Sequence, residues 1–209
     1  MSTEETLAQI AKEVSNCKKC ALAGGRKKSV PGEGPANSEI MFIGEGPGFH
    51  ENEQGRPFVG AAGQFLEQLL AQAGMQRTDV WIGNVVKCRP PGNRDPLPEE
   101  LAACNEHLEK QIAAINPKII ITLGRYSMAK FMPGVKISQV HGQMRRVGDR
   151  FVIAMFHPAA ALHQAALRPT IENDFAQLPR LLEQARTVLK RTSSAAEAGK
   201  EEPRQLNLF

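Results

Sequence analysis

The chain of 209 residues, 42% of them hydrophobic, is long enough to bury one sizeable core of its own. No apolar run approaches the roughly 20 residues that cross a bilayer, and Met1 to Lys19 is too polar for a secretory leader, so a cytoplasmic location is expected, where disulfides are rare. The formal net charge of +4 permits nucleic-acid binding without requiring it, and the basic clusters at Arg26-Lys27-Lys28, Lys87 to Arg94, Arg145-Arg146 and Arg186 to Arg191 each read singly as a solvated face.

Residues 4–16 have the spacing of an amphipathic helix leading into Cys17-x-x-Cys20. Residues 21–38, rich in Gly, Pro, Lys and Ser, read as loop. Ile40 to Gly44 (IMFIG) is a continuous apolar run, the pattern of a strand buried on both faces. Gly63 to Gly74 has helical spacing at Phe65, Leu66, Leu69 and Leu70, with Gly74 as its C-cap. Val80 to Lys87 predicts a second strand, Pro98 to Asn116 a helix broken by Asn116-Pro117, and Lys118 to Leu123 a third strand. A short helix from about Ser127 to Phe131, a fourth strand at Phe151 to Phe156 and a final helix from Asp174 to Lys190 follow.

Strands alternating with helices predict an α/β fold, a three-layer α/β/α sandwich around a central, mainly parallel four-stranded sheet. Residues 1–190 make one domain. From about Thr192 to Arg204 the composition turns to Ser, Ala, Gly, Glu and Lys, so residues 191–209 read as a disordered linker ending in Gln205-Leu206-Asn207-Leu208-Phe209. Such sheets bind ligands beyond the carboxyl ends of their strands, which directs the search to the segments after strands one, two and four.

Four cysteines, Cys17, Cys20, Cys88 and Cys104, form a set of soft thiolate ligands with none left over. That set suits an iron–sulfur cluster or a structural zinc. Gly44-Glu45-Gly46-Pro47-Gly48 places three glycines and a proline in five positions, an irregular turn whose N–H groups can approach a ligand. It is not a phosphate-binding P-loop, because no Gly-Lys-Ser/Thr follows. Glu51 and Gly55-Arg56-Pro57-Phe58-Val59-Gly60 come next. Asn84 ends the second strand, and its amide offers an acceptor and two donors to the edge of a base. His157-Pro158-Ala159-Ala160 ends the fourth, with proline fixing the chain just past the imidazole. Singly, each has a plainer reading: a strand-to-helix connection, an Asn capping its own loop, a structural histidine.

Taken in order, these motifs resemble the family four uracil-DNA glycosylases, the iron–sulfur branch of the uracil-DNA glycosylase superfamily, over roughly residues 10–185. The resemblance implies a DNA repair enzyme of base excision that flips deoxyuridine out of the duplex and hydrolyses its N-glycosidic bond, leaving an abasic site. It implies a 4Fe–4S cluster held by Cys17, Cys20, Cys88 and Cys104. It implies a uracil pocket built from the backbone of Gly44, Glu45 and Gly46, a stacking Phe58, Asn84 on the base edge and His157 at O2.

The chemistry of the residues agrees. Uracil presents O4 as acceptor and N3–H as donor, and cytosine reverses both. A fixed Asn84 amide would match the one and leave unpaired groups, costing about 1–3 kcal/mol each, against the other. His157 would donate to the charge that develops on O2. Glu45 is expected to position the water or balance the cationic sugar. The better-known uracil glycosylases carry Asp one position later, where this chain has Gly46. Glu51 either shares that role or crowds C5 against thymine, and Asn52 stands where the family commonly has a further Asp.

A related branch traps itself covalently on DNA through a histidine in an inserted loop. Lys87 to Pro98 contains none, so a turnover enzyme is expected. DNA contacts are expected at phosphates from Lys87, Arg89 and Arg94, and from His163 to Arg168. The final Gln205, Leu206, Leu208 and Phe209 resemble the peptide by which bacterial repair proteins dock on the DNA polymerase sliding clamp; the alternative is a tail packed on its own domain. A monomer is expected. The competing reading is a noncatalytic iron–sulfur or zinc DNA-binding module, which would have no need of Glu45, Asn84 and His157 at three strand ends.

Overall fold

A five-stranded sheet organises the computed structural model, which describes residues 1–198. The chain opens with α1 (Thr3–Asn16) and a single turn, α2 (Leu22–Gly25). It then runs through β1 (Ile40–Gly44), α3 (Phe49–Gln54), α4 (Ala61–Gln72), β2 (Trp81–Asn84), α5 (Pro98–Ile115) and β3 (Ile119–Leu123). It closes with α6 (Arg125–Phe131), α7 (Ile137–Val140), β4 (Gln143–Val147), β5 (Arg150–Met155), α8 (Pro158–His163) and α9 (Arg168–Ala198). The strand order is β2-β1-β3-β5-β4, parallel throughout except where β4 returns antiparallel along β5.

The expected α/β/α sandwich is present, with one strand more than the four predicted. The fifth, β4, reads Gln-Met-Arg-Arg-Val and has no apolar run, because an edge strand is covered on one side only. Gly148, at φ 63, turns it tightly into β5. The final helix begins at Arg168 rather than Asp174 and continues to Ala198, past Thr192 where linker composition begins. The Gln205–Phe209 peptide lies outside the described residues.

Local chemistry explains the element ends. Ser2 caps α1: its Oγ accepts the Glu5 N–H at 3.2 Å, while Glu5 accepts the Ser2 N–H at 2.8 Å. Pro98 opens α5, where its missing N–H costs nothing, and Asn116 closes it in the left-handed region at φ 48. Successive residues of β1 serve opposite layers. Ile40 and Phe42 pack with α4, α8 and α9, whereas Met41 and Ile43 pack with α1, α5 and α6. The open side of β2 is covered by a single antiparallel pairing in which Glu33 and Ile82 exchange both N–H···O bonds, at 2.9 and 2.8 Å. None of the described helices is long and apolar enough to cross a membrane.

Candidate active site and cysteine cavity

The parallel register sets Gly44 of β1 opposite Asn84 of β2 at the carboxyl edge of the sheet. Gly44 is a steric necessity: a Cβ there would lie 2.5 Å from Asn84 Oδ1 and 2.6 Å from the tip of the Phe58 ring. Asn84 is buried, and its Oδ1 has no hydrogen-bond partner. A buried acceptor left empty is costly unless something else fills it.

Phe58 is held in a left-handed conformation, φ 52, that a non-glycine residue seldom adopts. Two contacts keep it there. Arg77 donates to its carbonyl at 2.9 Å, and the backbone of Gly63 comes so close that a Cβ would stand 1.9 Å from that same oxygen. The Phe58 ring packs against the imidazole of His157, with centroids 5.5 Å apart and 24° between planes.

His157 follows β5 and caps α8 by accepting the Ala159 N–H on Nδ1 at 3.1 Å. Burial pushes the imidazole down to about 4, against a smaller opposing effect from Glu51, so the ring is neutral. With Nδ1 accepting, the single proton of that neutral ring sits on Nε2, which is therefore a donor.

The two glutamates separate in role. Glu51 is buried, and its carboxylate takes three backbone N–H groups: Gly48 at 3.1 Å, and Val59 and Gly60 at 2.8 Å each. It binds the Gly-rich turn to the Phe58 loop. Glu45 is half-buried, and its carboxylate has no hydrogen-bonding partner among the described residues. Burial pushes it up to about 7, helped by Asp95 and opposed by Arg125. Gly46 leaves no room for an acid at the next position, since a Cβ would lie 2.8 Å from Val86 Cγ2. Asn52 is buried and needs no charge: its Oδ1 accepts the Lys27 N–H at 3.0 Å.

All four cysteines line one cavity, together with Val14, Lys19, Leu22, Ala23, Arg26, Lys87, Ala103 and His107. Burial raises the Cys104 thiol to about 11 and raises the Cys88 thiol as well. Such thiols ionise when a metal replaces the proton. Two of the sulfurs already have donors aimed at them: the Lys87 N–H reaches Cys104 Sγ at 3.3 Å, and Arg26 Nη1 reaches Cys88 Sγ at 3.5 Å. Arg26 also donates to the carbonyl of Cys17 at 2.8 Å, stitching the end of α1 to the cavity. Soft donors on every side, with N–H groups turned toward sulfur, fit a thiolate-bound group. Among the described residues no three His, Cys, Asp or Glu side chains converge on a single-ion site.

Comparison with known proteins gives the family. The model of the uracil DNA glycosylase superfamily matches residues 31–180. A protein of Archaeoglobus fulgidus described as a type-4 uracil-DNA glycosylase is 44% identical over 187 residues, spanning 85% of this chain and 94% of its own. Another so described, from Thermotoga maritima, is 47% identical over 166 residues, spanning 78% of this chain and 86% of its own. The chain belongs to the type-4 uracil-DNA glycosylases. A type-5 uracil-DNA glycosylase of Pyrobaculum aerophilum is more distant, 30% identical over 150 residues, which is 63% of this chain and 66% of that one.

In this type-4 chain the basic residues expected at DNA divide sharply. Lys87 is a correction: it is fully buried, its Nζ donates to Gln111 Oε1 at 2.6 Å, and burial lowers its ammonium to about 8, so it holds α5 and reaches no phosphate. Arg94 is exposed but committed, in a two-bond pair with the buried Glu100 at 2.9 and 2.7 Å. Arg89 lies over the exposed ring of Phe49, 5.3 Å from its centroid, beside the Gly-rich turn. Arg168 lies over Phe65, 4.5 Å from its centroid, and pairs with Glu172 at 2.8 Å.

The sequence reading missed Arg125, which follows β3, is exposed and pairs with Asp95 close to Glu45. Arg125 stands just beyond β3, outside the segments after strands one, two and four to which the sequence points. It also missed His107, whose signal was its place three residues after Cys104 on the same helix.

Because Glu51 serves three backbone donors, Glu51→Gln turns one acceptor into a donor against the loop. It is expected to lower stability by about 1–3 kcal/mol, read as a shift in the denaturant midpoint at unchanged m. An unshifted midpoint would show that the carboxylate is not the loop's anchor.

Proposed function

We propose that the chain is a DNA repair glycosylase that extrudes deoxyuridine from DNA and hydrolyses its N-glycosidic bond, releasing uracil and an abasic site. The observation that carries this reading is the buried, unpartnered Oδ1 of Asn84, set against Gly44, Phe58 and the neutral His157 at one sheet edge. An acceptor at that place suits the N3–H of uracil, and the amide's N–H suits O4. Cytosine would leave both groups unpaired. The ring of Phe58 supplies an aromatic face for the extruded base.

His157 supports bond cleavage as a donor. The developing uracil anion gathers charge on O2, and a neutral imidazole with its proton on Nε2 stabilises that charge without first losing a proton. Glu45, ionised, orients the water that adds to C1′ or balances the cationic sugar. Glu51 acts through the loop it fastens. Phosphate contacts fall to Arg89 and to Arg125 and Arg168, whose carboxylate partners Asp95 and Glu172 are themselves exposed or half-exposed, unlike the buried Glu100 that holds Arg94.

Cys17, Cys20, Cys88 and Cys104 would hold a 4Fe–4S cluster, whose part here is to fix structure. The four thiols of one cavity and the N–H groups directed at two of them support this reading. Docking of residues 205–209 on a sliding clamp belongs to the same proposal and rests on their sequence alone.

The direct test is incubation with an oligonucleotide holding one uracil, followed by alkali. Strand cleavage is expected at uracil and not at cytosine or thymine. His157→Leu is expected to lose about 100- to 1000-fold in rate, the usual cost of one oxyanion donor. No cleavage by the unmutated protein would favour a binding module instead.

The pH profile tests Glu45 separately. A carboxylate raised to about 7 loses its ionised form as pH falls, so kcat/KM should decline below about pH 7 and level off above it. Glu45→Gln should be slow and lack that limb. His157, lowered to about 4, contributes no inflection between pH 5 and 8. A limb unchanged in Glu45→Gln would remove Glu45 from the water-positioning role.

A further inference from the structure

Among the described residues, two side chains bury a polar atom with no hydrogen-bond partner. One is Asn84, at the proposed uracil pocket. The other is His107, only 3% exposed, with both ring nitrogens unpartnered. His107 lies on α5 one turn beyond Cys104 and lines the same cavity as the four cysteines.

An imidazole in any protonation state carries at least one N–H, and leaving that donor unmet in the interior costs about 1–3 kcal/mol. The remaining cavity wall narrows what can meet it. Of the other lining residues, Val14, Leu22, Ala23 and Ala103 have apolar side chains, and Lys19, Arg26 and Lys87 have side chains that can only donate. Sulfur is the one acceptor that these lining side chains supply. Two sulfurs already accept N–H groups, Cys104 from the Lys87 main chain and Cys88 from Arg26.

We propose that His107 donates a hydrogen bond to a sulfur, thiolate or sulfide, of the cluster held by Cys17, Cys20, Cys88 and Cys104, and so sets the stability and potential of that cluster. The proposal rests on the iron–sulfur reading of the cysteines. Hydrogen bonds to cluster sulfurs favour the more negative, reduced state and raise the reduction potential. Losing one therefore leaves a cluster that is easier to oxidise. His107 is a positioning residue with no contact to DNA in this scheme, and its effect is read at the metal.

The experiment uses the full chain as isolated. Iron and acid-labile sulfide are measured first, then the Fe–S stretching bands by resonance Raman and the rate at which ferricyanide bleaches the visible absorbance. In His107→Phe the bands are expected to move to higher frequency and bleaching to run several-fold faster. In His107→Gln, which keeps an N–H donor, both readouts should return toward the unmutated values. Unchanged bands and bleaching in a His107→Phe protein replete in iron and sulfide would overturn the role of His107 and leave the cluster reading standing. Unmutated protein without iron and sulfide would overturn the cluster reading itself.

Should His107→Phe lose its cluster altogether, unmutated protein labelled with 15N at its five histidines decides. One slowly exchanging imidazole N–H, broadened by the paramagnetic cluster, is expected. Only ordinary, fast-exchanging imidazole signals would overturn the proposal.

Discussion

The pairing of Gly44 with Asn84 across β1 and β2 leaves the Asn84 amide no freedom to choose its place. Strand register fixes the backbone of Asn84, and the missing Cβ of Gly44 makes the space into which Oδ1 and the Phe58 ring converge. Phe58 is fixed in turn by the backbone of Gly63 and by Arg77, which also pairs with Glu33 at 2.8 Å, on the segment that covers the open side of β2. Three segments far apart in sequence thus meet with no slack. Preorganisation of this kind lets a donor or acceptor act without rearrangement when the substrate arrives.

The same backbone joins the two sites. Val85 and Val86 donate to the carbonyls of Gly44 and Glu45 at 3.0 and 3.1 Å, Lys87 donates its main-chain N–H to Cys104, and Cys88 follows at once. Asn84 and the cavity are therefore two ends of one short, fully bonded run. Burying the Lys87 ammonium beneath it is costly, and the bond to Gln111, which itself donates to the Pro31 carbonyl at 2.7 Å, offsets part of that cost. The cysteines thus adjoin the backbone run that follows Asn84, with Cys88 four residues beyond Asn84.

How legible this was depended on whether burial could be read from pattern. β1 is a continuous apolar run, and β3 and β5 are broken only by Thr122 and by Arg150 at the strand's start, so their sequence admits little else. β4 was not legible because an edge strand shows no such run. The Gly-rich turn, Asn84 and His157 were found because they lie just beyond predicted strands, where ligands of such sheets gather. Charges were sorted less well. Lys87, Arg89 and Arg94 look alike in the sequence, yet one is sunk in the interior, one lies on an aromatic ring and one is tied to Glu100. Arg26, in a cluster that read as solvated, knits α1 to a cysteine. Sequence carries the charge of a side chain but not its depth, which is settled by packing between distant segments.

The two borders of the sheet are finished in different ways. On one, the Glu33 pairing caps β2, with Gly34 pressed so close that a Cβ would stand 2.4 Å from the Val80 carbonyl. On the other, β4 turns the exposed guanidinium groups of Arg145 and Arg146 outward. Neither border presents the flat, apolar, unpaired strand on which a second chain could extend the sheet. Edge-to-edge pairing of two such sheets is therefore disfavoured at both borders, by the covering segment beside β2 and by the like charges of Arg145 and Arg146 on β4.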